Sequence, residues 1–501
     1  TCDLTITFGT GLHHQALTAL NKIYLPELCF PCAWPRDARG PYLTRNEMEM
    51  GMTRFSVLLA VIGLIGSLPL VALASQPRDL VLEPYTEPRA IFCVIVFVLS
   101  YLLVIAEEKT QLRKSMPVML GAGIIWATIG IAAPEYGVDH EQLKEAIFHD
   151  LDEYGSLLLF LMTAMIYISS LESGKVFAVL RARLVGMGLS LRQLFWVTGI
   201  IAFFLSALAD NMTTALVMGA VVMAVGADNP RFVAIAMVNI VCAANSGGAF
   251  SPFGDITTLM VWQSGRVEFF EFFALFLPAV ATYLVPAAVM SFAVPAEQPA
   301  RPEEHVRMLR GARRAIILGL LTITLAVSFE QFLGIPPFMG MMTGLSLLMF
   351  LAYYLRSTRR EGEPEYNIFR AIQAVEWDTL LFFFGVIMCV GGLGFIGYLD
   401  QLSQFAYTEL GATTANVLVG LASAIVDNIP VMVAVLQMNP DMDMMQWLLV
   451  TLTAGVGGSL LSIGSAAGVA LMGQARGQYT FFSHLKWTPV IAGGFALSIW
   501  V

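Results

Sequence analysis

The chain has 501 residues, 57% hydrophobic and only 13% charged, with a mean hydropathy of +0.72. Those values exclude a soluble enzyme on a single anchor and call for many membrane helices. A formal net charge of −9 argues against a nucleic-acid partner. Apolar runs are continuous, unlike the alternating segments of about ten residues that build a membrane β-barrel. Six scattered cysteines give no disulfide framework.

Residues 1–51 do not read like the rest. They are mixed in composition and contain a Cys29-Phe-Pro-Cys32 pair with no second pair at metal-ligand spacing. The segment reads as an atypical upstream extension or an artefact. Residues 52–74 then follow the signal-peptide pattern: Arg54, an apolar core from Phe55 to Leu70, and Ala72-Leu73-Ala74 as a cleavage site. An uncleaved first helix is the other reading. Either places the Pro77–Pro88 segment outside the cytoplasm.

Lys and Arg in short loops orient the later spans. Residues 89–106 cross inward to Lys109, Arg113 and Lys114, and 116–133 cross outward to an acidic loop that includes Asp139, Glu145 and Asp150. Residues 156–171 return to Lys175, Arg181, Arg183 and Arg192, on a stretch that reads as an amphipathic helix. The stretch 193–226 has Asp210-Asn211 at its midpoint, and each arm, about 16 residues, is short for a full span. It predicts a re-entrant hairpin, although two full spans would keep the same loop parity. Residues 231–262 form a span broken by Gly247, Gly248, Pro252 and Gly254, and 268–294 complete a first repeat over 89–294.

A cytoplasmic linker, 295–312, carries Arg301, Arg307 and Arg310. The second repeat, 313–501, has spans at 313–329, 338–355 and 378–398. A hairpin at 403–436, a broken span at 446–473 and a last run at 487–501 follow. That run is only about 15 residues, short for a span, so a truncated C-terminus is expected. The fold class is therefore an all-α polytopic membrane protein. It is organised as an inverted-topology repeat with two re-entrant hairpins and two broken transmembrane helices. Alternating loop charge suits a bacterial inner membrane.

The repeat is visible in the residues. SALADNMTTALVMG is echoed by SAIVDNIPVMVAVL, which aligns Ser206 with Ser423, Asp210 with Asp427 and Asn211 with Asn428. ANSGGAFSPFGDITTLM is echoed by GVGGSLLSIGSAAGVALM, which aligns Gly247, Gly248 and Gly254 with Gly457, Gly458 and Gly464. Asp255 then meets Ser465, so the halves are similar but not equivalent.

Acids inside lipid-compatible runs are costly and point to function. A hard cation wants oxygen ligands. The first half supplies Asp210, Asn211, Asn245, Asp255, Thr257 and Thr258, and the second supplies Asp427, Asn428, Ser459, Ser462 and Ser465. Ser423 and Glu172 are secondary candidates. Helix capping is the rival reading for Asp210 and Asp427, and hydroxyls also glue membrane helices together. His484 and Lys486 read as anchors at a membrane boundary.

From about residue 89 onward the chain resembles the ion transporter superfamily, and within it the NhaD-type sodium/proton antiporters. The carriers of that resemblance are ADNMTTALVMG, NSGGAFSPFGDITTLMVW, VDNIP, GGSLLSIGSAAG and FFSHLKWTP, in that order. The resemblance implies exchange of Na+, and Li+ with it, for H+, with no cofactor. It also implies an elevator-type alternating-access motion and a homodimer in the lipid bilayer. Desolvation disfavours an ionised carboxylate and a nearby cation favours it, so the two ions compete. A carboxylate, anion or arsenite carrier of the same superfamily is the nearest alternative, though acids at both tips repel anions. A cation channel could use the same ligands. An intramembrane aspartyl protease fits poorly, because Pro252-Phe253-Gly254-Asp255 departs from its Gly-x-Gly-Asp pattern.

Overall fold

A computed structural model describes residues 87–226, 228–298, 306–359 and 367–501. The expected extension over 1–51 and the signal peptide or first helix over 52–74 lie outside the described residues. Among those described, all regular structure is helical. Eight helices are long and apolar enough to cross a membrane, and the protein is an integral, multi-pass membrane protein.

Six of the eight form a scaffold: α1 (Pro88–Ile105), α2 (Ser115–Ala132, extended by a 3-10 turn to Tyr136), α3 (His140–Ser173), α10 (Ala312–Leu333), α11 (Pro337–Ser357) and α12 (Trp377–Ile396). Proline in the first turn of α1 and α11 starts each helix where a missing N–H does no harm. The packing is paired: α1 lies on α2 as α10 lies on α11, and α2 lies on α12 as α11 lies on α3. Only 11% of the α10 span is buried against 67% of α12, so α10 lies at the periphery of the described chain and α12 lies inside.

One expectation changes here. Residues 139–153, read as an acidic loop, are instead the first part of α3. Asp139 and Gln142 form a reciprocal capping box (2.8 and 3.1 Å) that starts the helix well before residue 156. Buried Asp150 and Tyr154 then continue along α12, with Tyr154 edge-on to Phe384. Acidic composition signalled solvent on one face, and the periodicity of the other face was masked by it. The basic stretch after it is helical as expected, as α4 (Val176–Gly186).

The remaining helices are mostly short. α5 (Leu191–Ser206) and α6 (Asn211–Gly226) have 16 residues each, and about 1.5 Å of rise per residue leaves each short of a hydrocarbon core of about 30 Å. α7 (Pro230–Gly248) stops at a break and resumes as α8 (Ile256–Gln263), followed by α9 (Phe276–Ala293). In the second half, α13 (Ala412–Ala422) and α14 (Asn428–Met438) lead to α15 (Met444–Gly457). That helix breaks and resumes as α16 (Ala466–Gln474), before α17 (Phe481–Leu485) and α18 (Thr488–Trp500). α7 is the axis of this unit, with 89% of its span buried. α5 packs on α7 as α13 packs on α15, and α6 crosses to α16 as α14 crosses to α8.

Close backbone approach explains two of the glycines. A Cβ at Gly247 would collide with the carbonyl of Phe203, and one at Gly457 with the carbonyl of Gly420. Positions 203 and 420 correspond when Ser206 is laid on Ser423. The same intimate contact between first arm and interrupted helix thus occurs in both halves.

Candidate functional site

Each interrupted helix resumes at a capping residue in extended conformation. Asp255 has φ −132° and ψ 147°, and its carboxylate accepts the Thr257 N–H at 3.1 Å. Ser465 has φ −142° and ψ 146°, and its hydroxyl accepts the Gly468 N–H at 3.3 Å. Both do the N-cap's work, but only one carries a charge.

The two tips converge on that charge. Asn211, the first residue of α6, donates from Nδ2 to Asp255 Oδ2 at 2.7 Å, while its own Oδ1 accepts the Ser206 hydroxyl at 2.7 Å. Asn428, the first residue of α14, donates to both Asp255 oxygens at 3.2 Å. Asp255 is only 7% exposed. Its amide and backbone donors are all neutral, so its negative charge is stabilised by dipoles and left without a fixed counter-charge there. A buried carboxylate in that condition calls for a cation or a proton.

A second bridge joins the breaks themselves. Asn245 Nδ2 donates to Ser459 Oγ at 2.9 Å, and both side chains are fully buried. The Asn245 carbonyl oxygen and the neighbouring Ser246 hydroxyl are buried without a partner, so oxygen lone pairs remain free beside the first break. Thr258 closes that break, donating to the carbonyls of Ser251 (2.9 Å) and Asp255 (2.6 Å).

Other expected residues take different places. Asp210 Oδ1 accepts the Thr213 N–H at 2.8 Å, the bond of a cap on α6. Asp427 stands at the equivalent position before α14 and makes no such bond. Ser423 donates to the Ala454 carbonyl at 2.6 Å, tying the second tip to α15. Ser462 is fully buried within the second break. Glu172 is exposed near the end of α3, and no hydrogen bond joins it to this cluster among the described residues.

Three residues of this neighbourhood had not been singled out as ligands. Ser206 could have been, since it aligns with the candidate Ser423. Gly455 of α15 carried no signal: a Cβ there would lie 3.7 Å from both Asp255 Oδ2 and Thr257 Oγ1, so its missing side chain leaves room beside the carboxylate. His484, expected to anchor at a boundary, is instead fully buried and reaches the second break.

Interrupted helices that place unwound backbone and a buried carboxylate where the two halves of a membrane protein meet are the architecture of a secondary transporter. A family model described as "Citrate transporter" (CitMHS) matches residues 101–455. The Na+/H+ antiporter NhaD of Vibrio cholerae is 53% identical over 451 residues, covering 86% of this chain and 94% of the relative. The Na+/H+ antiporter NhaD of Halomonas elongata is 50% identical over 483 residues, covering 92% and 96%. Sodium/proton antiporter 1 of Arabidopsis thaliana is 30% identical over 422 residues, covering 81% and 70%. The chain belongs to the NhaD family of sodium/proton antiporters, within the wider group that the citrate-transporter family model describes.

Proposed function

We propose that this protein is a secondary antiporter exchanging Na+, and Li+ with it, for H+ across a bacterial inner membrane. The observation that carries the reading is the Asp255 carboxylate, buried and held by amides from both tips, Asn211 and Asn428. A cation bound there would favour the ionised form, and a proton would displace the cation, so one group serves both ions in turn. Thr257, Asn245 and the carbonyls of the breaks are the further oxygen ligands. Asp210 and Asp427 at the tips, with Ser459, Ser462 and Ser465, keep the surroundings favourable to positive charge.

Alternating access follows from the paired plan. In this reading the halves are inverted repeats, α5–α6 and α13–α14 are re-entrant hairpins, and the unit of hairpins and interrupted helices moves elevator-fashion against α1–α3 and α10–α12. The matched glycine contacts at Phe203 and Gly420 and the matched caps at Asp255 and Ser465 support the repeat. Loop charge supports the inversion, and the family resemblance supports a homodimer.

The family description also raises a citrate-like substrate. The Asp255 charge disfavours it, since a polyanion beside a buried carboxylate is repelled.

Purified protein in proteoliposomes with a proton-sensitive dye inside decides among these. Saturable alkalinisation of the interior driven by an inwardly directed Na+ gradient is expected, together with Li+ response and no response to citrate. Citrate-driven flux, or Na+ current that does not saturate, would overturn the proposal.

A further inference from the structure

The segment after α16 ends in an unusual arrangement. Thr480 and Ser483 form a capping box that starts the single turn of α17. Phe482 points outward, 73% exposed, while His484 is turned fully inward. His484 Nε2 lies 2.9 Å from the Ser459 carbonyl, and Nδ1 lies 2.7 Å from the hydroxyl of Tyr479, itself buried. A carbonyl can only accept, so Nε2 carries the hydrogen, and Nδ1 of the neutral ring accepts from Tyr479. Burial pushes the imidazole down to about 4, in keeping with that neutral tautomer. Four residues on, Thr488 Oγ1 donates to the Leu460 carbonyl at 2.7 Å. Two successive carbonyls of the second break are therefore held by one short segment.

Ser459 is also the residue whose hydroxyl accepts from Asn245 beside the first break. A chain of contacts thus runs from Tyr479 through His484 and Ser459 to Asn245.

We propose that His484 is a positioning residue for ion exchange: by holding the Ser459 carbonyl, it fixes the Ser459 hydroxyl against Asn245 and so keeps the two interrupted helices in register around Asp255. This rests on the exchange reading above. His484 touches no transported ion in this scheme, and its influence passes entirely through Ser459. An apolar side chain would leave the carbonyl unpaired and free to turn. Glutamine can place an N–H where Nε2–H stands, whereas asparagine is too short to reach it.

The test is Na+-driven proton flux in proteoliposomes for wild type, His484→Leu, His484→Gln, His484→Asn and Tyr479→Phe. With loss confined to site geometry, His484→Leu is expected to raise the KM for Na+ by about tenfold while the maximal rate stays within about twofold. His484→Gln is expected to restore most of the affinity and His484→Asn little, with Tyr479→Phe in between. A wild-type KM in His484→Leu, or a loss of rate without a change in KM, overturns the inference. If His484→Leu fails to fold, the Gln and Asn variants decide, and equal behaviour of those two overturns it. Absence of Na+-driven flux in the wild type would instead overturn the exchange reading, and this inference with it.

Discussion

Asn428 donates to both carboxylate oxygens of Asp255 at 3.2 Å, although 173 residues separate them in the chain. Asn211 approaches the same carboxylate from the other half at 2.7 Å. The tips of the two halves are thus joined through one side chain that belongs to only one of them. The caps at the two breaks match in backbone and differ in charge, because Ser465 stands in the second half where the first has Asp255.

Asp255→Asn removes the carboxylate that both tip asparagines hold and keeps the cap on α8, since Asn caps about as well as Asp. Na+-driven proton flux should fall to the level of empty liposomes. The thermal unfolding midpoint in detergent should move little. Exchange near the wild-type rate would show that another group carries the proton.

Asp210 and Asp427 should separate in their structural roles. Asp210→Ala loses the Thr213 bond and should destabilise the protein by about 1 kcal/mol, the usual worth of an N-cap. Asp427→Ala should not, because Asp427 makes no cap bond. Asp210→Asn is expected to stop transport with stability kept, and Asp427→Asn to weaken apparent Na+ affinity. Full transport in Asp210→Asn would leave that residue as a cap alone.

Asn211→Ala removes a donor to the carboxylate and strands the Ser206 hydroxyl. Hydrogen bonds to charged groups are worth about 1.5–3 kcal/mol, so apparent Na+ affinity should fall at least about tenfold. Asn428→Ala, whose contacts are longer, should fall less. Titration of Na+-dependent flux for both variants gives the order, and a reversed order would mean that bond length does not rank the two amides.

Gly455→Ala puts a methyl in ordinary contact with Asp255 Oδ2 and Thr257 Oγ1, at 3.7 Å from each. Alanine also favours the helix by up to about 1 kcal/mol over glycine, so the protein should fold at least as well. Exchange of Na+ should suffer more than exchange of the smaller Li+. Equal loss for both ions would mean that the space at Gly455 does not set selectivity.

Loop orientation can be read with single cysteines in a background lacking the native ones. Lys144→Cys, exposed at the start of α3, should react with impermeant thiol reagent from the periplasmic side. Arg307→Cys, exposed ahead of α10, should react only from the cytoplasmic side. Labelling of both from one side would rule out the inverted arrangement of the halves.

Much of this was legible before any tertiary contact was known. Membrane class and the placing of the spans follow from hydropathy, which adds up along a local window. The breaks follow from Gly247, Gly248, Pro252 and Gly254, and from their echoes at Gly457, Gly458 and Gly464, because these residues act on the backbone where they stand. The extent of α3 was missed, since its acidic face obscured the periodicity that packs Asp150 and Tyr154 along α12.

By itself the sequence determined which residue types stand at the tips and breaks, and that the second half offers a serine where the first has Asp255. Only the tertiary structure decided that the asparagines, not the aspartates, bond to that carboxylate, that Asp210 turns to the Thr213 N–H, and that His484 reaches inward to Ser459. The physical reason is one of range. Turn and helix preferences are written in neighbouring residues, but which of two adjacent side chains faces a distant partner depends on how whole helices pack, and that leaves no local mark.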